Sequence, residues 1–181
     1  ALNQYEVVDS TPDPVLDDLA RLAAQICNAP VAGISFLASD RIWLKSGFGV
    51  GPQDLPPGSL PCETTILGDT VYEIQDARLD LNFAPDGILL DRQPYCFYAG
   101  APLTTPGGIS VGALFVLDLF PRMLTPDQSS ALRTLSRQII TRLELSGRIR
   151  QIDRAARYRQ RVESALTVER NFVSAVLDTV A

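Results

Sequence analysis

Three side chains in this sequence could do nucleophilic or redox chemistry: Cys27, Cys62 and Cys96. None of the 181 residues is a histidine. That count removes His-based acid–base catalysis, Ser-His and Cys-His nucleophilic pairs, and His-ligated haem or zinc. The cysteines stand about 35 residues apart, without the paired spacing that an all-cysteine metal site needs. Cys62 stands at the N-terminus of a short predicted helix over 62–67, whose dipole could lower a thiol pKa. The plainer and favoured reading is a small buried apolar residue.

Other candidates also carry two readings. Cys96 alternates with Tyr98 and could line a pocket, though a structural role is favoured. Trp43 and Lys45 share one face of a strand. Lys45 could meet an anionic ligand, but an exposed lysine guarding a sheet edge is favoured. Asp76, Asp80, Asp86 and Asp91 read as solvated loop carboxylates before they read as a site. Phe36, Phe83, Phe97 and Tyr98 could form an aromatic cage, and core packing explains them equally well.

Composition narrows the class. Hydrophobic residues make up 46% and charged residues 20%, which supports a packed core. The formal net charge of -5 argues against a nucleic-acid surface. No run of 18 apolar residues and no signal-peptide pattern occurs, so no membrane association is expected. Three cysteines fit a reducing, cytoplasmic setting better than a disulfide framework.

The elements that would position these residues follow from spacing. Thr11-Pro12-Asp13-Pro14 signals a helix start, with Thr11 or Asp13 as N-cap. Val15, Leu16, Leu19, Leu22, Ala23 and Ile26 predict an amphipathic helix ending near Asn28-Ala29-Pro30. Strands are predicted over 31–38 and 41–47, then a Gly/Pro-rich loop over 48–61, and a strand over 70–75. Residues 76–94 read as a crossover loop with one or two helical turns. Two apolar runs, 95–103 and 109–120, flank Thr104-Thr105-Pro106-Gly107-Gly108 and predict a central β-hairpin. Thr125 and Pro126 then start a helix that meets no proline before Ala181. Such a helix would extend roughly 85 Å, more than one small domain can cover.

The sequence resembles a GAF domain over about residues 3–145. The motifs carrying the resemblance are LARLAAQICNAPVAGISFL (19–37), DRIWLKS (40–46), the cysteine before the short helix, DARLDLNFA (76–84), FYAGAPL (97–103), VGALFVLD (111–118), PRMLT (121–125) and LEL (143–145). They are similar to GAF domains of bacterial sensor histidine kinases and diguanylate cyclases. Cys96 stands where such sequences usually have arginine, and Phe115 where many have cysteine. The NKFDE-type pattern of cyclic-nucleotide-binding members is missing, as is the Cys-His pair that anchors bilin.

The resemblance implies an α+β fold: a central antiparallel sheet, N- and C-terminal helices on one face, then a long coiled-coil helix. It implies a ligand pocket on the other face, closed by the crossover loops. Joined to strand alternation, it places that pocket among Phe36, Trp43, Cys62, Phe83, Cys96 and Tyr98. The expected division is a sensory domain over 1–145 and a signalling helix over 146–181. ERNFVSAVLDTV (169–180) looks like the lead-in to a further domain.

In the distal helix, Leu145, Ile149, Ile152, Ala156, Val162, Leu166, Phe172, Val173 and Val176 form a thin seam amid arginines. Its width suits one partner helix. Arg159 and Glu163 interrupt the heptad, and Val162, Ala165, Phe172 and Val176 resume it on a shifted register. A parallel homodimer is expected there, with two packings close in energy. Three functions follow. The first is a sensory module acting through this helix on an output domain, a histidine kinase or cyclic-di-GMP enzyme. The second is a ligand-free dimerisation and spacer module. The third is a thiol-dependent reductase, like free-standing GAF proteins that reduce methionine sulfoxide. No bilin, haem or metal is expected, and an unidentified small-molecule ligand stays possible.

Overall fold

Asp13 opens the first helix: its carboxylate accepts a hydrogen bond from the Val15 N–H at 3.1 Å, and Pro14 occupies the first turn. The computed structural model describes residues 12–83 and 85–180. Thr11, the other candidate cap, lies outside the described residues. Helix α1 (Pro14–Cys27) ends at Asn28, which takes a left-handed conformation at φ 50°.

α1 buries only part of the face its large residues mark out: Leu16 and Ala23 are buried and Leu19 packs against the core. Leu16, Ala20, Ala23, Ala24 and Cys27 are buried, while Val15, Leu22 and Ile26 remain exposed. Alanines let the helix axis approach the sheet closely, and packing against the strands outweighs the preference of the larger side chains.

Eight strands follow: β1 (Val31–Leu37), β2 (Ile42–Phe48), β3 (Gln53–Leu55), β4 (Tyr72–Ile74), β5 (Ile88–Leu90), β6 (Gln93–Tyr95), β7 (Phe97–Thr104) and β8 (Ser110–Asp118). Six of them form one antiparallel sheet in the order β3-β2-β1-β8-β7-β4. The predicted hairpin is β7–β8, and Gly108 makes its turn at φ 78°. β3 forms inside the stretch expected to be loop, pairing with β2 through Ile42, Trp43 and Leu44.

β5 and β6 make a separate small hairpin within the crossover. Its two-residue turn is Asp91-Arg92, with φ 51° and 65°. Positive φ at two non-glycine residues is uncommon, and no Gly or Asn marks the reversal, so the pattern read as loop. Helix α2 (Cys62–Thr65) and a 3₁₀ turn (Ala77–Leu79) complete the connections.

Contacts divide the chain into two units, Ala1–Leu143 and Glu144–Ala181. Helix α3 (Pro126–Val180) supplies the last element of the first unit and all the described part of the second. In the first unit the sheet has two buried faces. One packs Ala32, Ile34, Phe36, Phe97, Ala99, Leu114 and Val116 against α1 and against Leu132, Leu135, Ile139 and Leu143 of α3. The other packs Leu44, Tyr98, Ala113, Phe115 and Leu117 under α2 and the crossover segment. In the second unit Leu145, Ile149, Ile152, Leu166, Phe172 and Val173 are exposed. No helix among the described residues is long and apolar enough to cross a membrane.

Candidate functional site

The six pocket candidates do not converge. Direct cross-strand partners share a sheet face, so pairing settles which residues stand together. Phe36 pairs with Trp43, and both join the helix-covered core. Cys62 and Tyr98 lie on the opposite face, where Phe83 packs against the edge of their cluster. Cys96 sits between β6 and β7, partly buried, with its backbone bound to Asp118 and Ala77. Ser35 pairs with Ala113 in β8, and Tyr98 pairs with Leu117 in the same strand. The β1 residues that share a face with Tyr98 are therefore Val31, Gly33 and Ser35, the last one position before Phe36. Lys45 also departs from its expected place. It is buried, with its ammonium 5.0 Å from the centroid of the Trp43 ring.

What the opposite face does assemble is a sealed polar cluster. Ser35 Oγ lies 3.0 Å from the Cys62 sulfur and 3.3 Å from the Ala113 carbonyl oxygen. Tyr98 Oη lies 2.7 Å from Thr65 Oγ1 and 3.8 Å from the same sulfur. Thr65 in turn donates to the carbonyl of Pro61, the residue before α2. Ser35, Cys62, Thr65 and Tyr98 are all fully buried. Among the described residues no buried side-chain nitrogen or oxygen lacks a partner. The Tyr98 ring stacks on Phe115 at 6.0 Å between centroids and meets Tyr72 at 6.4 Å.

The electrostatics of this cluster oppose reactivity. Burial pushes the Cys62 thiol up to about 11, against which the Ser35 and Tyr98 hydrogen bonds act only weakly. Burial also raises the Tyr98 phenol well above its ordinary value. Cys27 is pushed up to about 11 by the same cause, although Arg122 nearby pulls the other way. Neither group is a thiolate near neutral pH.

An open groove of about 770 Å³ lies beside this face, along the outer edge of β4. Tyr72, Ile74, Leu79 and Met123 give it apolar walls, and Glu73, Asp76 and Asp80 line it with carboxylates. Asp76 is paired with Arg78 at 2.6 Å, and Glu73 accepts from the Leu124 N–H. None of the six candidates lines it. Tyr72 connects the two regions, since it forms part of the groove wall and touches Tyr98. Ser35 escaped the sequence reading because a lone serine in an apolar strand carries no periodic signal, and Thr65 because a four-residue helix is too short to show one.

A six-stranded antiparallel sheet with terminal helices on one face and crossover segments on the other defines the GAF fold, and solved structures agree. The GAF domain of an Acinetobacter phosphoenolpyruvate-protein phosphotransferase superposes with a TM-score of 0.63 at 19% identity, covering 80% of this chain and 93% of that one. Free methionine-R-sulfoxide reductase from Neisseria meningitidis, solved with its substrate, superposes with a TM-score of 0.61 at 17% identity, covering 81% and 86%. By sequence, a cyclic di-GMP phosphodiesterase of Pseudomonas aeruginosa is 32% identical over 121 residues, 67% of this chain. The chain spans 21% of the length of that relative. No family model matches the sequence. The protein has the GAF fold.

Proposed function

We propose that this chain is the sensory or regulatory GAF module of a bacterial signal-transduction protein, acting on an output domain through α3. The observation that carries the reading is the exposed apolar seam of residues 145–173 on a helix that begins in the sheet domain. Exposed large side chains repeating at three- and four-residue spacing on one helix suit a partner helix, and a second copy in parallel supplies an identical one. The relative in Pseudomonas aeruginosa makes cyclic-di-GMP turnover the favoured output, with a histidine kinase as the other. The module works in the cytoplasm, without bilin, haem or metal, and without contact to nucleic acid or membrane.

A second reading, a ligand-free dimerisation and spacer module, is favoured by the sealed cluster. Ser35, Cys62, Thr65 and Tyr98 already satisfy one another where a ligand would bind. Thiol-dependent reduction is disfavoured, because a reductase needs an accessible thiolate and Cys62 is buried and protonated.

Sedimentation at tens of micromolar tests the shared part of both readings. The full chain is expected to dimerise, and the chain ending at Gly147 is expected to be a monomer. Equal behaviour of the two would remove the helix as the interface. Native mass spectrometry of the purified chain then separates sensor from spacer: a retained small molecule supports the first, and the bare mass supports the second.

A further inference from the structure

The six-stranded sheet stops at β4, which pairs with β7 and with no other strand. Alternate residues of a strand turn their N–H and C=O groups toward the same neighbour. The Gln75 carbonyl faces away from β7, where it accepts from the Arg122 N–H at 3.2 Å. The backbone groups of Glu73, two residues earlier, therefore face the same way, and among the described residues nothing bonds to them there. They open into the groove along this edge, which residues 121–123 wall off at the Gln75 end.

The walls of the groove lack apolar cover and a balancing charge. Leu79 and Met123 line it while 82% and 66% exposed, so their apolar surface has no partner in the chain. Asp76 is neutralised by Arg78, and Arg122 by Asp118. Glu73 and Asp80 accept only backbone N–H groups, from Leu124 at 3.2 Å and Asn82 at 2.9 Å. Neither meets a cation among the described residues, so the groove carries two uncompensated carboxylates.

We propose that this edge takes an extended segment of another polypeptide as a seventh strand, antiparallel to β4, with a basic residue opposite Glu73 and apolar residues on either side. The residue opposite Glu73 then exchanges both backbone hydrogen bonds with it. Its basic side chain shares a face with the Glu73 carboxylate, and the flanking side chains meet Tyr72 and Ile74. Three residues of extended chain, about 10 Å, cover β4. A second copy of β4 paired about a dyad would set Glu73 against Glu73, like charges directly opposite. Residues 1–11 of this chain carry Glu6 and Asp9 and no basic side chain, so they repeat the charge of the groove instead of balancing it. Charge therefore selects a separate, basic segment.

NMR titration of the full, isotope-labelled chain with the peptide acetyl-Thr-Val-Lys-Val-Thr-amide tests this. Amide shifts are expected at residues 72–75, 79 and 123, with a dissociation constant below about 1 mM. Glutamate in place of the peptide's lysine is expected to weaken binding about fivefold or more. A methyl group on the lysine backbone nitrogen is expected to abolish it, because that N–H is the donor to the Glu73 carbonyl. Glu73→Gln keeps an acceptor for the Leu124 N–H and is expected to weaken the lysine peptide about threefold. The comparison among peptides uses the wild-type chain, so it stands whether or not that variant folds. No shifts at this edge, equal binding of the lysine and glutamate peptides, or undiminished binding of the N-methyl peptide would each overturn the proposal. Shifts reproduced in full by lysine amide would give the groove to a small cation instead. Concentration-dependent shifts at residues 72–75 without any peptide would give the edge to a second copy.

Discussion

Arg122 donates a guanidinium N–H to the carbonyl oxygen of Asn28 at 3.0 Å, joining the segment after β8 to the end of α1. A second N–H goes to the Cys27 carbonyl. The same guanidinium pairs with Asp118 at 2.8 Å and lies 5.3 Å from the Phe97 ring centroid. It therefore satisfies the open carbonyls of a helix C-terminus and places a positive charge at the negative end of its dipole.

Replacing Arg122 with alanine removes all of these contacts. Arg122→Ala is expected to lower stability by about 2–3 kcal/mol, because hydrogen bonds to a charged donor are the stronger kind. Arg122→Lys is expected to recover less than half, since an ammonium cannot fork to two carbonyls and a carboxylate. Urea unfolding of both variants measures this.

The Cys62 thiol is expected to be inert in the folded protein. Alkylation at pH 7.5 should proceed at the rate of global opening and accelerate only in denaturant. Its pH dependence has a definite sign. The folded thiol is raised to about 11 from an ordinary value of 9.0, so folding favours the protonated form. The corresponding stability is complete below pH 9 and is lost as the pH rises from 9 to 11. It amounts to about 2–3 kcal/mol. Cys62→Ala should flatten that part of the alkaline profile, while a profile unchanged from wild type would show that Cys62 titrates normally.

Tyr98 folds its hydroxyl back over Gly100, toward Thr65. A Cβ at Gly100 would run into that hydroxyl and stand 2.9 Å from Thr65 Oγ1. Gly100→Ala is expected to cost about 1–3 kcal/mol through overpacking. Tyr98→Phe leaves Thr65 its bond to Pro61 and should cost only about 1 kcal/mol. Combining the two should cost less than the sum, because removing the hydroxyl takes away the nearest clash and leaves only the ring carbon at 2.8 Å and Thr65 Oγ1 to give way. Strict additivity in thermal unfolding would show that the two do not touch.

Asp13 both caps α1 and pairs with Arg142 of α3 at 3.1 Å. Asp13→Ala is expected to cost about 1–2 kcal/mol, mostly from the cap. Asp13→Asn keeps an oxygen for the Val15 N–H and loses only the charge, so it should fall in between. Chemical denaturation of the pair apportions cap against ion pair.

Local chemistry determined much of this molecule before any folding was considered. Asp13-Pro14 and Thr125-Pro126 favour helix starts from local chemistry alone, because cap and proline act over one turn. The two apolar runs around Gly107-Gly108 could become little but paired central strands, and the absence of histidine removed whole classes of chemistry. Long-range pairing decided the rest. Alternation says that Phe36 and Ile34 share a face, but not which face, and only the β1–β8 and β7–β8 registers put Ser35, rather than Phe36, beside Tyr98. A register shift between Ile34 and Ser35 then sets how β2 follows, carrying Trp43 to the helix side with Phe36. Close approach of α1 to the sheet chose its alanines over Val15 and Leu22. Residues whose roles depend on partners nearby in sequence were legible, whereas those whose partners lie 27 to 78 positions away, as for Ser35, became legible only once the strands had paired.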